Sequence, residues 1–214
     1  ELHTICKNAF EDSLIEELII PESVIDLQDG WCCNTKKLKN VIINQNNQFY
    51  KNYDGNMIIG KTNIMNEEYD NLIFVNRDVE EIIIPSFIKK ISPYSFSNSH
   101  IKHIYIPDNV TQICEGAFDN CMNLQRVLIS PDSELQIIES NTFRDSLIKS
   151  IYIPPKITII NKNTFLRCGN LTKIYISENS NLTTIESYAF SKSSIEKIFI
   201  PNKVTRICEG AFFD

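Results

Sequence analysis

The sequence predicts an α/β repeat solenoid, right-handed and strand-rich, with short 3₁₀ or turn segments between the strands. A motif of Ile-x-x-Ile-x-Ile-Pro, then Val-x-x-Ile, then Ala-Phe or Thr-Phe recurs along the chain, and its clearest copy runs from Ile101 to Phe118. A chain that repeats every 22 to 25 residues buries the apolar face of each unit against its neighbours. It therefore forms a solenoid and not a compact domain around one central core.

The phenylalanine that closes each motif fixes the repeat length. Its steps alternate between 22 and 25 residues, which indicates a true period of two units, 47 residues long. The inner phenylalanines are Phe96, Phe118, Phe143, Phe165, Phe190 and Phe212, with Phe10 expected in the same column. We expect their rings to point into the solenoid axis, where each buried side chain contributes roughly 1.5–3 kcal/mol.

Each unit is expected to begin with a strand, because apolar residues at its first, fourth and sixth positions, mostly Ile and Val, suit a short strand. Proline at the end of several strands removes a backbone donor and terminates them. The Val-x-x-Ile step then turns the corner, and a short turn or 3₁₀ piece carries the phenylalanine. The predicted strands start at Ile15, Leu38, Val79, Ile101, Leu124, Ile148, Leu171 and Ile195.

These motifs resemble the BspA-like, or Treponema pallidum-type, leucine-rich repeat family. The matching residues are Ile106-Pro107, Val110-Thr111-x-Ile113, Ala117-Phe118, Cys121 and Leu124. The resemblance covers nearly the whole chain. It implies a surface or secreted protein of a bacterium or parasitic protist, often adhesive and often binding host matrix proteins. The family brings no catalytic residues. This chain departs from the pattern at Cys114 and Cys208, where glycine is usual, and at Trp31-Cys32, where Ala-Phe is expected.

Residues 44–78 break the register and are expected to form an irregular, hairpin-bearing variant repeat. The segment from Phe49 to Gly60 predicts two short strands around an Asp54-Gly55 turn, and residues 72–75 predict a third strand. The variant either only lengthens the solenoid wall or protrudes as extra contact surface. We expect residues 1–214 to form a single leucine-rich repeat domain and, because both chain ends fall inside a repeat, a fragment of a longer protein.

The charge of the chain bears on its partners. A net charge of −6 and a pI of 5.2 argue against nucleic acid as the main partner. No apolar stretch approaches the roughly 18 residues that a membrane span needs. The expected location is the cell surface or outside the cell, from the family resemblance, and a cytoplasmic location stays open.

The seven cysteines do not suggest a disulfide framework. Cys114 and Cys208 lie four repeats apart, about 19 Å at ~4.8 Å per stacked strand, which is beyond the ~7 Å reach of a disulfide. Cys121 and Cys168 lie two repeats apart and are also too distant. We expect buried free thiols that act as small apolar residues, with a Cys114–Cys121 bond as the remaining alternative.

The sequence predicts neither an active site nor a metal or cofactor site. His100 and His103 belong to a strand and Cys114 to a following turn, so the hydrogen-bond contact of a Cys/His nucleophile pair is not expected. Zinc needs three or four convergent ligands, and the adjacent pair Cys32-Cys33 has no histidine close in sequence. The six glycines are scattered and form no phosphate-binding loop.

The residues between the strand isoleucines are the candidates for binding, because strand side chains alternate and these point away from the core. The third such position is apolar or aromatic in every repeat, which predicts a continuous exposed ridge, and such patches often mark interaction sites. Ladder stabilisation between like neighbours is the competing explanation. The column consists of Ile19, Ile42, Ile83, Tyr105, Leu128, Tyr152, Tyr175 and Phe199.

The first two variable positions carry charge, and the sign of the charge changes along the array. The early strands show Glu16, Glu17, Glu80 and Glu81, and the later strands are basic apart from Glu196. We expect one acidic end and one basic end on the face that carries the ridge, a polarity that could steer an extended partner. The flanking basic residues are Lys102, His103, Arg126, Lys149, Lys173 and Lys197.

Together these features favour a non-catalytic protein–protein interaction module. It would bind protein through the repeat sheet face, as a cell-surface adhesion module or a binder of host matrix or cell-surface proteins. An intracellular leucine-rich repeat scaffold that uses the same face is the alternative, which free thiols would suit.

Overall fold

The computed structural model describes residues 1–63, 65 and 67–214 and shows a strand-rich solenoid of about nine turns. Residues 64 and 66, part of the predicted variant repeat, lie outside the described residues. The described part contains no α- or 3₁₀-helix, so the α/β description and the 3₁₀ segments are not confirmed. The strands are joined by hydrogen-bonded turns, such as the one closed by the Cys121 amide donating to the Phe118 carbonyl.

Short strands run along the whole described chain. They are β1 (Thr4–Ile5), β2 (Glu17–Ile20), β3 (Asp26–Leu27), β4 (Asn40–Ile43), β5 (Tyr50–Tyr53), β6 (Met57–Gly60), β7 (Asn71–Val75), β8 (Lys90–Ile91), β9 (His103–Ile106), β10 (Gln112–Ile113), β11 (Arg126–Ile129), β12 (Ile137–Ile138), β13 (Ser150–Ile153), β14 (Ile159–Ile160), β15 (Lys173–Ile176), β16 (Thr184–Ile185) and β17 (Arg206–Ile207).

The four-residue strands β2, β4, β9, β11, β13 and β15 form the long-strand face. Each begins two residues after its predicted start, and they pair in parallel as β2–β4, β9–β11 and β13–β15. The joint between β11 and β13 carries no ladder, although the Lys149 amide still donates to the Gln125 carbonyl at 3.2 Å. The ladders therefore follow the two-unit period of the sequence.

Two predicted strands, from Val79 and from Ile195, are wrong. Residues 79–84 follow the variant repeat, whose strands join a different sheet. A backbone bond from the Lys102 amide to the Glu80 carbonyl still ties them to the next turn. The segment at Ile195 follows β15 in the same way that β13 follows β11, and neither of these two joints carries a ladder. An extended segment without a laddered neighbour has no sheet to join.

A second set of strands, in sheets separate from the first and not predicted from the sequence, forms the short-strand face. The Val-x-x-Ile step, expected only to turn the corner, ends in a two-residue strand in most turns, as in β8, β10 and β12. Parallel pairing joins β8 to β10 and β10 to β12, and separately β14 to β16 and β16 to β17. Two residues are too few to show an alternating pattern in the sequence.

The variant repeat is built into the short-strand face. The strands β5 and β6 pair in antiparallel fashion around Asp54 and Gly55, whose φ angles of 52° and 67° are those of a tight hairpin turn. Strand β7 continues the sheet and pairs in parallel with β8. All residues of β6 and β7 are buried, so these two strands form part of the solenoid wall.

The inner phenylalanines stack along the axis as predicted, from Phe96 to Phe212. Ring centroids of successive members lie 4.6–5.5 Å apart, and the ring planes are within 21° of parallel. Phe10 is not part of this stack. It packs edge-on against Trp31, with centroids 6.3 Å apart and planes at 85°, because the next turn offers Cys32 where a phenylalanine is expected.

A buried arginine lies where the stack is interrupted. The Arg77 guanidinium lies over the Phe74 ring, 4.6 Å from its centroid, and donates to the carbonyls of Ser95 (2.7 Å) and Tyr94 (3.2 Å). Its second amino group also lies 3.5 Å from the Cys32 carbonyl and thiol. Arg77 thus bridges the turn of Cys32 and the turn of Phe96 through carbonyl oxygens, which meet part of the hydrogen-bonding need of its buried guanidinium.

Left-handed residues explain why each turn stays a turn. From Phe96 to Phe190, the residues two before and two after each inner phenylalanine have positive φ, as in Tyr94 (57°) and Asn98 (61°). A left-handed residue interrupts a right-handed helix. Glycine is required at Gly116, since an added Cβ would lie 2.3 Å from a ring carbon of Tyr94.

All seven cysteines are free, so the Cys114–Cys121 alternative does not occur. Cys32, Cys114, Cys121 and Cys168 are buried as expected, whereas Cys6 is exposed and Cys33 and Cys208 are half-buried. The Cys121 thiol donates to the Phe96 carbonyl at 3.1 Å and the Cys168 thiol to the Phe143 carbonyl at 3.0 Å. These two thiols therefore tie neighbouring turns together by hydrogen bonds.

Candidate protein-binding face

Most later members of the predicted column lie on the long-strand face with their side chains exposed to solvent, and Phe199 follows that face outside any strand. Burial alternates along β9 and β11, with the isoleucine or valine positions inside and the variable positions outside. Tyr105 (50%), Leu128 (56%), Tyr175 (52%) and Phe199 (50%) are about half exposed. Tyr152 is partly buried and packs against the core. We call Tyr105, Leu128, Tyr152, Tyr175 and Phe199 the ridge.

Strand register places ridge members side by side. Tyr105 is paired with Leu128 across β9 and β11, and Tyr152 with Tyr175 across β13 and β15. The earlier part of the column is separate. Ile19 and Ile42 pair across β2 and β4, and the variant repeat lies between them and Ile83, which is exposed but belongs to no strand.

The later end of the ridge forms an open groove. Tyr152, Tyr175 and Phe199 line it together with Ile174, Ser177 and Glu178, and its volume is about 500 Å³. Three hydroxyls, from Tyr152, Tyr175 and Ser177, and the Glu178 carboxylate therefore lie among apolar side chains. Such a surface offers ring faces and a few polar groups to a partner.

The basic residues beside the ridge are exposed, and most are free to meet a partner. Lys102 is the exception, because its Nζ lies 2.5 Å from a Glu80 carboxylate oxygen. Within the described part of the chain, no carboxylate lies within 4.0 Å of the charged groups of four of them. These four are Arg126, Lys149, Lys173 and Lys197. They form a positively charged border to the ridge in a protein whose net charge is negative.

The acidic end is less uniform than the sequence suggested. Lys39 occupies a variable position of the early strands and pairs with Asp78 at 3.1 Å. Glu17 accepts a hydrogen bond from Asn40 at 2.9 Å, and Glu80 is held by Lys102. Of these early charges, Glu80 and Lys39 are therefore neutralised by ion pairs, whereas Glu17 keeps its charge and is held by a neutral amide.

Sequence reasoning missed a second groove, beside the variant repeat. The Lys51 ammonium lies 4.0 Å from the centroid of the Tyr69 ring, and the rings of Tyr53 and Phe87 meet edge-on at 5.7 Å. A groove of about 470 Å³ is bordered by Lys51, Tyr69, Phe87 and Lys89. The lysines and aromatic residues that alternate in the variant repeat could have indicated this groove from the sequence, but they match no position of the repeat motif.

The charges of this second groove are largely satisfied within it. Lys89 Nζ lies 2.8 Å from Glu68 and 3.5 Å from Asp70, and the Thr62 amide donates to Asp70 at 2.9 Å. Burial raises the pKa of Asp70, but the hydrogen bonds from Thr62 and the positive charge of Lys89 outweigh burial and leave the pKa below its usual value.

The residues that were weighed for catalysis do not come together. Burial raises the pKa of the Cys114 thiol to about 12, so the group stays protonated at neutral pH and is a poor nucleophile. The His100 ring nitrogen lies 3.9 Å from Asp78 and is not engaged with a thiol. In the described part of the chain, no group of three or more His, Cys, Asp or Glu side chains could hold a metal ion.

No helix long and apolar enough to cross a bilayer occurs within the described residues.

Searches against curated proteins gave no match. Among solved structures, a leucine-rich repeat protein from Eubacterium ventriosum is 21% identical, with a TM-score of 0.73 over 99% of this chain and 62% of that chain. A leucine rich cell surface protein from Faecalibacterium prausnitzii is 25% identical, with a TM-score of 0.74 over 94% of this chain and 50% of that chain.

The pneumococcal vaccine antigen PcpA is 19% identical, with a TM-score of 0.64 over 97% of this chain and 54% of that chain. The chain thus spans about half to three fifths of the length of these proteins.

The BspA type Leucine rich repeat region matches in six copies over residues 3–125 and 89–214. The motifs, the stacked turns and this match agree, and the chain belongs to the BspA-type leucine-rich repeat family.

Proposed function

We propose that this chain is a non-catalytic protein-binding module that engages its partner through the ridge and the basic residues beside it. The partner is a host extracellular matrix or cell-surface protein, and the module acts in adhesion at the cell surface or outside the cell. The observation that carries the proposal is the row of half-exposed tyrosine, leucine and phenylalanine side chains on a regular array. Exposed apolar surface of this kind is costly to keep in water unless it is used.

Family membership supports the general part of the proposal, because repeat arrays of this class commonly serve as protein-interaction modules. The surface location is supported by the similarity to a protein described as a leucine rich cell surface protein. The basic residues would contribute mainly to the association rate and to the choice of partner.

The competing explanation is that the ridge only stabilises the ladders. Aromatic and β-branched pairs across strands contribute about 0.2–1 kcal/mol each. Ladder stabilisation accounts for pairs such as Tyr152 and Tyr175. It does not account for Phe199, which is half exposed and lies outside any strand.

The test replaces Tyr152, Tyr175 and Phe199 together with threonine, which retains strand propensity. The protein would be immobilised and presented with purified matrix proteins and with host-cell surface extract, and the bound proteins identified by mass spectrometry. We expect the triple variant to lose the proteins that the wild type retains. A matched control replaces Ile137 and Ile159, which are exposed on the short-strand face, and should retain them. If the triple variant keeps the wild-type circular dichroism spectrum and binds the same proteins equally well, the ridge is not the binding surface.

A further inference from the structure

The groove beside the variant repeat is built by that repeat and by the two turns that follow it. Lys51 belongs to β5, Asp70 directly precedes β7, and Phe87 lies shortly before β8. The Lys89 amide donates to the Asp70 carbonyl at 2.8 Å, and the Asn109 side-chain amide donates to a carbonyl of the preceding turn at 2.9 Å. The walls of the groove are therefore tied to one another without a ligand. Their enclosed volume of about 470 Å³ lies in the range of small-molecule sites.

Of the two aromatic side chains described along this groove, Phe87 is the one open to a ligand. The Lys51 and Lys61 ammonium groups lie 4.0 and 5.2 Å from the centroid of the Tyr69 ring, so cations already lie over that ring. Phe87 is 45% exposed, and its ring meets the Tyr53 ring edge-on at 5.7 Å. The Phe87 ring is therefore held in place while it offers apolar surface to the groove.

The charged groups of the groove are of two opposite kinds. Its ammonium groups, Lys51 and Lys89, can only donate hydrogen bonds. Its carboxylates can only accept them, and these are Glu67, Glu68 and Asp70. Lys89 is occupied by Glu68 at 2.8 Å and by Asp70 at 3.5 Å. Among the described residues, Lys51 has no carboxylate and Glu67 no cation within 4.0 Å. A donor and an acceptor with spare capacity thus lie along the same groove.

This composition selects against charged ligands. Two cations and three carboxylates line the described part of the groove, which is a balance of −1 at neutral pH. A ligand carboxylate would be attracted by Lys51 but repelled by Glu67 and Glu68, and a ligand ammonium would meet the reverse. A hydroxyl both donates and accepts, so it pairs with either kind of group and adds no charge. The groove therefore matches a neutral ligand that carries several hydroxyls.

We propose that this groove binds a neutral hexopyranose residue of a glycan. The apolar C–H face of the sugar ring packs on Phe87, Lys51 donates to one hydroxyl, and Glu67 accepts from another. The side-chain oxygen of Asn109 is a further acceptor for a sugar hydroxyl, since its amide nitrogen is bound to the preceding turn. The site shares no residue with the ridge, so it goes beyond the proposed function and does not depend on it.

The probes are the methyl glycosides of glucose, galactose, mannose and N-acetylglucosamine, each titrated into the folded, isotope-labelled protein. Amide shifts in the NMR spectrum report both the dissociation constant and the place of binding. A single sugar residue has few atoms with which to bind, so we expect a dissociation constant of about 1–10 mM for the tightest of the four. The shifts should centre on Asp70, Phe87 and Asn109. The uronic acid and the 2-amino form of that sugar each add one charge and should bind about threefold more weakly.

Two variants test the contacts of the sugar, and their circular dichroism spectra establish that they are folded. Phe87→Ala removes the surface on which the ring packs and should weaken binding about tenfold. Lys51→Met keeps an apolar stem but removes the donor, so it should weaken the neutral sugar about threefold and reduce the penalty on its 2-amino form. The matched control Phe199→Ala removes a half-exposed phenylalanine of the ridge and should leave the dissociation constant unchanged.

Four outcomes would overturn the inference. The first is that none of the methyl glycosides shifts the amides of the groove. The second is that the uronic acid or the 2-amino sugar binds as tightly as the neutral sugar, because the charges of the groove would then select nothing. An unchanged dissociation constant in Phe87→Ala would remove the packing contact. An equal loss in Phe199→Ala would place the sugar on the ridge and not in this groove.

Discussion

Phe143→Ala removes a ring from the middle of the phenylalanine stack. Phe143 is fully buried, and its ring lies 5.3 Å from Phe118 and 5.5 Å from Phe165, within 10° of parallel to both. The change removes the apolar surface of the ring and leaves a cavity between two neighbours. Backbone bonds from Phe118 to the Thr142 carbonyl and from Phe143 to the Thr164 carbonyl, both 2.9 Å, restrain the turns, so the cavity cannot readily close.

The expected loss of unfolding free energy follows from these contacts. Phe→Ala changes in protein cores cost about 3–5 kcal/mol, with larger values where the site cannot collapse. Each aromatic pair adds about 0.5–1.5 kcal/mol beyond burial, and two pairs are lost here. We therefore expect about 4–5 kcal/mol. Phe212 is the matched comparison, because it has one stacked neighbour and is 39% exposed, and its replacement by alanine should cost about 1–2 kcal/mol.

Urea unfolding measures both changes, followed by circular dichroism and by the fluorescence of Trp31, which lies near the other end of the array. Solenoid stability depends on contacts between neighbouring turns. Phe143→Ala weakens the contacts in the middle of the array, so the unfolding transition followed by circular dichroism should separate from the transition followed by Trp31 fluorescence. Equal costs at Phe143 and Phe212, or a cost below about 2 kcal/mol at Phe143, would refute the view that the stack is the main core.

Three further predictions test the turns, the variant repeat and the thiols. Gly116→Ala should cost about 1–3 kcal/mol for its left-handed backbone and more for the clash with the tyrosine ring, measured by urea unfolding. Gly169→Ala, where an added Cβ meets nothing within 4 Å, should cost less than about 1 kcal/mol. The lowered pKa of Asp70 means that its carboxylate stabilises the fold above the unfolded-state pKa of about 3.9. That contribution is lost as the pH falls through the lower folded-state pKa. Asp70→Asn should therefore flatten the acid side of the curve of unfolding free energy against pH. An unchanged curve would contradict the stabilising role of the Asp70 carboxylate. Burial raises the pKa of Cys121 to about 12. In the native protein, iodoacetamide at pH 8 should therefore modify exposed Cys6 and leave Cys121 intact, as measured by peptide mass spectrometry. Fast labelling of Cys121 would show instead that its turn opens.

The repeat register was predictable because it depends on local pattern. Residues such as Ile104, Phe118 and Phe143 are apolar at fixed spacing, and that spacing alone determines which side chains face the axis. The Asp54-Gly55 hairpin turn was also predictable, since few dipeptides suit two left-handed residues in succession. The ridge positions followed from alternation along each strand.

Other features had no local signal. Arginine is almost never fully buried unless its charge is paired, so burial of Arg77 is not what the sequence would predict. The carbonyl groups that surround it belong to two other turns, and nothing in the sequence next to Arg77 indicates them. The strand predicted at Val79 failed because ladder formation depends on the neighbouring turn and not on strand propensity. The neutralised charges of Lys39 and Glu80 likewise depend on which residues the turns bring opposite them.

The sequence by itself determined the solenoid, its two-unit period and the outward direction of Tyr105, Tyr175 and Phe199, because each turn repeats one local solution to burying its apolar face. Only the tertiary structure decided which turns pair in ladders, where the variant repeat enters the short-strand face, and which cations remain unpaired. The physical reason is that backbone pairing and ion pairing join different turns, as when Arg126 pairs with His103 across two strands and Lys102 with Glu80. Their geometry is fixed only when those turns stack.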